Sequence, residues 1–253
     1  MRFLFDLHTH TVASGHAFST LKENVEEASQ KGLKALGISD HASAMPGSAP
    51  PIYFSNFKAV KSEIAGVHVF MGVEANIMDL EGHLDMEEDA LKKMDYVIAS
   101  LHVPCIQSGT AKENTDALIR VMKNPYVKII GHPDDGRYPL EYDRLAKAAK
   151  EEGVALEINN SSFSARSGRQ NADKNVPELL EECIKYGTFV IAGSDAHIFY
   201  DVGSLEHSEE VIAESGLPKE QILNLRLDGL AQVLNLERKE TAEKYKELAE
   251  SCE

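Results

Sequence analysis

Short apolar runs recur along the chain, most of them rich in β-branched residues, at 3–7, 34–39, 67–73, 96–100, 127–131, 154–158 and 189–193. Runs this continuous, without polar alternation, are the pattern of strands buried on both faces in a parallel sheet. Amphipathic stretches lie between them. Residues 21–31 set Leu21, Val25 and Ala28 on one side, and 115–123 set Leu118, Ile119 and Met122 together. Residues 144–152 and 177–185 read the same way. Gly32, Gly153 and Gly187 stand just after such stretches, where helix C-terminal glycines belong. The alternation predicts an α/β architecture with a parallel sheet of about seven strands.

Two segments break the pattern. Residues 46–51, Pro-Gly-Ser-Ala-Pro-Pro, and the polar stretch 159–171 are expected to be loops. The tail, 237–253, is charged and helical in pattern and is expected to pack on the outside. There is no internal repeat, low-complexity tract or linker. The expectation is one domain over 1–253, a length within the range of a single α/β barrel.

The polar residues that follow the runs change the picture. After the first come His8 and His10, after the second Asp40 and His41, then Glu74, His102 and His132 in turn. The sixth run is followed by Asn159 and Asn160, and the seventh by Asp195 and His197. In parallel α/β folds sites form at the C-terminal ends of strands. An open sheet would spread these residues along an edge, whereas a barrel converges them on one axis, so a barrel is expected. Side chains at i and i+2 on a strand face the same way, so His8 with His10, and Asp195 with His197, can each grip one site. His16 follows closely enough to reach it. Seven of the ten histidines thus fall at or beyond strand ends, and His68, His83 and His207 do not. These three read as structural, although Glu81-Gly82-His83 follows Glu74 closely enough to approach the site.

His8, His10, His16, His41, Glu74, His102, His132, Asp195 and His197 are too many ligands for one ion. At three or four protein ligands each they suit about three divalent ions. Imidazole with some carboxylate fits zinc, manganese or iron. Such ions turn a bound water into hydroxide near neutral pH and polarise the oxygens of a phosphoryl group. Asp195, Glu74 and His10 are expected to act through that water. Arg166 and Arg169, flanking Ser167-Gly168, are candidates to clamp the phosphate.

Composition excludes some alternatives. With 43% hydrophobic and 26% charged residues, the chain offers no apolar run of the roughly 18–20 residues a membrane span needs. An acidic residue at Asp6 interrupts the N-terminus too early for a signal-peptide core, so a cytoplasmic location is expected. Three cysteines without a C-x-x-C pair argue against a disulfide framework or zinc ribbon. A net charge of −15 disfavours nucleic-acid binding.

In order along the chain, Asp6-Leu7-His8-Thr9-His10-Thr11, Ile38-Ser39-Asp40-His41, Gly72-Val73-Glu74, Ser100-Leu101-His102, Ile130-Gly131-His132-Pro133 and Gly193-Ser194-Asp195-Ala196-His197 resemble the PHP family, named for polymerase and histidinol phosphatase. Glu157-Ile158-Asn159-Asn160-Ser161-Ser162-Phe163 is similar to a segment of its small, stand-alone bacterial type. The resemblance implies a distorted (β/α)7 barrel and a trinuclear site. One ion would take His8, His10, Glu74 and Asp195. A second would take Glu74 as a bridge with His102 and His132, and a third His16, His41 and His197. It further implies a phosphomonoesterase acting on a small phosphate ester such as histidinol phosphate, a nucleotide, a sugar phosphate or phosphotyrosine, and it hints at a trimer. An amidohydrolase would also begin with H-x-H, but its dinuclear members usually offer a lysine at the end of strand four, where this chain has Ser100-Leu101-His102. A non-catalytic regulatory role is the remaining alternative, although no ligand position of the family is lost here.

Overall fold

A computed structural model of the chain describes residues 1–252; Glu253, the end of the expected tail, lies outside them. The strands are β1 (Phe5–Asp6), β2 (Ala35–Ile38), β3 (Glu63–Ile64), β4 (Val67–Met71), β5 (Val73–Asn76), β6 (Val97–Ser100), β7 (Val127–Ile130), β8 (Ala155–Asn159) and β9 (Val190–Gly193). They form two sheets, β1-β2-β4-β3 and β5-β6-β7-β8-β9. All pairings are parallel except the antiparallel β3–β4 hairpin, which the apolar pattern did not predict.

Each expected strand is present, but the third is divided at Gly72. Met71 donates its N–H to the Asp95 carboxylate at 2.8 Å. That side chain takes the position a β6 carbonyl would fill, so pairing with β6 begins only at Val73–Val97. The two sheets meet at isolated bridges, His41 with Glu74 and Thr9 with Ala196, and the parallel ladders do not close into a barrel. At the second seam the Asp6 carboxylate stands in for a ladder. It accepts from the N–H groups of His8 and Ser194, both at 3.2 Å.

Between the sheets lies an inner core that includes Phe5, Leu7, Phe70, Tyr96, Ile98 and Ile129. Phe5 with Leu7, and Tyr96 with Ile98, stand two residues apart and face it together, as the pleat requires. Tyr96 is fully buried and donates its hydroxyl to the Leu7 carbonyl at 2.6 Å. Room for its ring comes from glycine: a Cβ at Gly37 would lie 2.2 Å from the Tyr96 Oη, and one at Gly72 would lie 2.5 Å from its Cζ.

The outer core is covered by helices. These are α1 (Leu21–Gln30), α2 (Pro51–Ser55), α3 (Glu88–Leu91), α4 (Ala111–Met122), α5 (Tyr142–Glu152), α6 (Ala172–Tyr186), α7 (Glu206–Ser215), α8 (Leu227–Val233) and α9 (Lys239–Ser251). Capping boxes, Thr20 with Glu23 and Thr110 with Glu113, start α1 and α4. Gly153 and Gly187 close α5 and α6 in the left-handed conformation, as expected of C-terminal glycines. Of the helices missed by the pattern, α2, α3 and α8 are short, and α7, as long as α1, carries few periodic apolar positions.

The expected loop 46–51 ends by starting α2 at Pro51, and the loop after β8 opens with a turn of 3-10 helix, Asn160–Phe163. The tail is helical as expected, but outer packing is not its whole role. Leu248 of α9 is fully buried in the inner core, and α9 lies across the N-terminal ends of the strands, where Thr241 and Lys244 bond Asp95. All three cysteines are free thiols, with Cys252 exposed. Among the described residues no helix is long and apolar enough to cross a membrane.

Candidate metal centre

The bridges that join the two sheets also assemble the site. His41 beside Glu74, and Thr9 beside Ala196, bring the residues after β1, β2 and β9 together with Glu74 of β5 at the C-terminal strand ends. Two of the ligand candidates sit on backbone that L-residues seldom adopt: His132 has φ of 30° and Asp195 has φ of 53°. Such conformations cost of order 1–3 kcal/mol and persist where the surrounding structure demands them. Here they aim two side chains at the centre.

Glu74 is that centre. Its Oε1 lies 3.1 Å from the Nε2 of both His102 and His132 and 3.4 Å from His8 Nε2. Its Oε2 lies 2.8 Å from His41 Nδ1 and 3.5 Å from His10 Nε2. Asp195 Oδ1 is 3.1 Å from His10 Nε2 and 3.5 Å from both His8 Nε2 and His197 Nδ1. His197 and His16 face each other, Nε2 to Nε2, at 3.0 Å. All nine expected ligands are therefore brought together. Three sets of donor atoms gather within 4.8 Å of one another: His8 with His10 and Glu74, His41 with Glu74 and His102, and His10 with His41 and His197. The last two sets cut across the partition that the family resemblance implies.

The donor set fits divalent cations on a specific observation. His8 Nε2, His10 Nε2, His41 Nδ1 and Glu74 Oε2 are buried and make no well-directed hydrogen bond, His41 Nδ1 and Glu74 Oε2 lying only 2.8 Å from each other. Buried polar atoms are nearly always satisfied, and leaving four around one point would be costly. Electrostatics point the same way. Burial, with His197 and His41 nearby, holds His10 well below the usual histidine range and pushes His16 down to about 4. Burial also lowers His102. These imidazoles keep lone pairs free at neutral pH. Burial works against charge on Glu74, but His102 and His8 outweigh it and hold the carboxyl well below its ordinary value. Asp195 is likewise held down by Arg169 and His8 against its burial.

Several supporting residues were not legible as such. Glu157 of β8 is buried and lies 2.6 Å from His8 Nδ1, and it accepts from the His132 N–H at 2.7 Å. A carboxylate inside an otherwise apolar run was the available signal. Ser14 bridges Asp40 and the His10 Nδ1, at 2.7 and 3.0 Å. Asn76 holds His102 Nδ1 at 2.7 Å. Partners of this kind orient metal-binding histidines and select their tautomer.

Above the cluster a cavity of about 690 Å³ opens to solvent. Arg169 enters it with its guanidinium on Asp195 Oδ2 at 2.6 Å and on Asn159 Oδ1 at 3.2 Å. Arg166 also lines the cavity but is exposed. His207, read as structural from the sequence, lies on the cavity wall. His83 does not approach the site: it is exposed and bonds Asp79 at 2.8 Å. His68 is buried on β4, where its Nε2 lies 3.5 Å from Ser251 Oγ.

Imidazoles and carboxylates converging at strand ends in an α/β fold, beneath an arginine-bearing cavity, form clusters able to hold metal, an arrangement suited to metal-assisted hydrolysis. The chain belongs to the PHP domain family, whose pattern it matches over residues 6–161. It is 46% identical over 240 residues to a probable phosphatase of Caldanaerobacter subterraneus, covering 94% of both chains. With a probable phosphatase of Acetivibrio thermocellus it shares 41% over 228 residues, covering 90% of this chain and 93% of the other. Among solved structures it is similar to histidinol phosphate phosphatase from Lactococcus lactis, complexed with zinc, L-histidinol and phosphate. That match has a TM-score of 0.64 at 21% identity, covering 85% of this chain and 94% of the other. A putative histidinol phosphatase from Listeria monocytogenes matches with a TM-score of 0.57 at 15% identity, covering 81% and 99%.

Proposed function

We propose that the protein is a phosphomonoesterase that works with about three divalent ions, zinc foremost, on a small-molecule phosphate ester. The observation that carries this is the set of four buried polar atoms at Glu74 that make no well-directed hydrogen bond. The zinc and phosphate bound by the Lactococcus lactis protein are in keeping with it. On this reading the two sheets are the wall of one distorted seven-stave barrel spanning the chain, with the site at its C-terminal mouth.

His8, His10, Glu74 and Asp195 would hold one ion, Glu74 with His102 and His132 a second, and His16, His41 and His197 a third. When bound, such ions acidify a water and withdraw charge from phosphoryl oxygens. The protein's own groups do the rest. Glu74, His10 and Asp195 crowd the centre, and we assign them to the reacting side. Glu157, through His8 Nδ1, turns the Nε2 lone pair toward Glu74. Arg169 is held charged by the neighbouring Asp195 and Asp134 despite its burial, and it presents a rigid fork of donors to a phosphate. Arg166, exposed at the cavity edge, would add a second, more mobile contact.

The test is turnover of a panel of phosphomonoesters before and after chelation, with metal content measured in parallel. Activity that disappears on stripping and returns with zinc or manganese is expected. Turnover unaffected by removal of metal would overturn the proposal.

A further inference from the structure

A second cavity, of about 680 Å³, lies away from the metal centre and shares no lining residue with the first. It sits at the opposite end of the fold. Its lining includes Lys92 and Lys93, just upstream of β6, and Tyr126, just upstream of β7, so it opens at the N-terminal ends of those strands.

Its charge runs against that of the protein. The chain has 26 lysines and arginines against 41 aspartates and glutamates. Around this cavity stand Lys58, Lys92, Lys93, Arg238 and Lys239, against Asp89, Glu237 and Glu240. Arg238 pairs with Asp95 and Lys239 with Glu243 at 3.6 Å, so the local excess of positive charge comes from Lys58, Lys92 and Lys93. Among the described residues Lys58, Lys92 and Lys93 have neither an ion pair nor a side-chain hydrogen bond, and all three are exposed. Glu240 is turned toward Arg238 at 3.5 Å, so it is not directed at those lysines.

The walls are fixed in place. Asn235, itself buried, donates through Nδ2 to the Lys92 carbonyl at 3.1 Å and through its N–H to the Asp95 carbonyl at 2.7 Å. Arg238 is paired with the fully buried Asp95 carboxylate. The segment leading into α9 is thereby stapled to the end of α3. Phe54 and Phe57, buried in the outer core and packed edge to face at 5.7 Å, back the cavity, and the half-buried Tyr126 offers the ring on its wall that is partly exposed.

A cavity within the roughly 300–1,000 Å³ of small-molecule sites, with the Tyr126 ring on its wall and free ammonium groups at its rim, suits a planar ring carrying phosphate. Lysines act there as point charges on phosphate oxygens, and the rings supply apolar contact. From this we infer that the protein has a second binding site, independent of the metal centre, for a phosphorylated, ring-bearing metabolite of mononucleotide size.

The probe is ADP, titrated against the metal-loaded protein beside adenosine and pyrophosphate. ADP should bind more tightly than either fragment. Lys92→Glu combined with Lys93→Glu should weaken ADP binding by about tenfold or more, the scale of a lost charge-assisted contact. The same variant should leave kcat/KM for p-nitrophenyl phosphate within about twofold, because the two cavities share no residue. Any ADP held at the metal centre is read separately, as competitive inhibition that the lysine reversals do not alter. Lys58→Glu, elsewhere on the lining, should weaken the distal binding independently. Lys22→Glu with Lys246→Glu, equal in charge change and exposed elsewhere, should leave it unchanged. Failure of ADP to bind, indifference to Lys92→Glu/Lys93→Glu, or an equal loss in the control pair would overturn the site. Pyrophosphate binding as tightly as ADP would overturn the role of the ring.

Discussion

Replacing Glu157 with glutamine tests whether the site is built from the second layer outward. Glu157 is fully buried, and its two oxygens serve three donors. Oε1 takes His8 Nδ1 at 2.6 Å, and Oε2 takes the His132 N–H at 2.7 Å and the Asn159 amide at 3.0 Å. Glutamine has one oxygen and an NH₂ group. Whichever way it is turned, a buried donor faces another donor. Leaving one buried donor unsatisfied costs about 1–3 kcal/mol. If it is His8, the Nε2 lone pair is no longer directed at Glu74, and cation affinity should fall by about 10–100-fold. The two scales agree, since about 1.4 kcal/mol is a factor of ten.

The pH dependence has a definite sign. Burial opposes charge on His8, but Glu157, followed by Glu74 and Asp195, raises its pKa well above the ordinary value. A cation must displace that proton, so metal affinity in the parent declines as pH falls. Without the Glu157 charge the proton is held less tightly, so the deficit of Glu157→Gln should be larger at pH 8 than at pH 6. The assay is zinc affinity by competition with a chromophoric chelator at both pH values, with kcat/KM alongside. An affinity within about twofold of the parent at pH 8, in a variant of unchanged circular dichroism, would refute the reasoning.

Glu74→Gln should lower bound metal by more than one equivalent, because Glu74 lies within 3.5 Å of five imidazole nitrogens; elemental analysis showing full occupancy would remove its bridging role. Arg169→Lys keeps the charge but loses the fork that spans Asn159 and Asp195, so KM for a phosphate ester should rise by about tenfold or more with metal content unchanged. Arg166→Ala, at an exposed position, should change KM less than Arg169→Lys does, and the reverse order would contradict the assignment of the inner arginine as the principal clamp. Gly37→Ala should destabilise the fold by at least about 1–3 kcal/mol, because its Cβ would fall 2.2 Å from the Tyr96 hydroxyl; a thermal melt within a degree or so of the parent would show that the ring can move aside.

The apolar runs by themselves determined where most parallel strands lie, because a strand buried on both faces must be apolar throughout. The histidines and carboxylates just beyond them marked the site, because chemistry in such folds gathers at strand ends. All nine candidate ligands lie together at those ends. Other features depended on contacts between distant segments, which no local pattern records. The break at Gly72 follows from Asp95 taking the Met71 N–H, 24 residues away in the chain. The open seam between β1 and β9 follows from Asp6 bonding His8 and Ser194 in place of a ladder. The burial of Leu248 depends on α9 crossing the strand N-termini. The grouping of ligands was also tertiary: His41 lies on Glu74 as well as near His16, because one bridge sets β2 beside β5. Glu157 shows the division most clearly. In sequence it is one acidic residue in an apolar run, and only folding places its carboxylate against His8, 149 residues away, where it can orient a ligand of the centre.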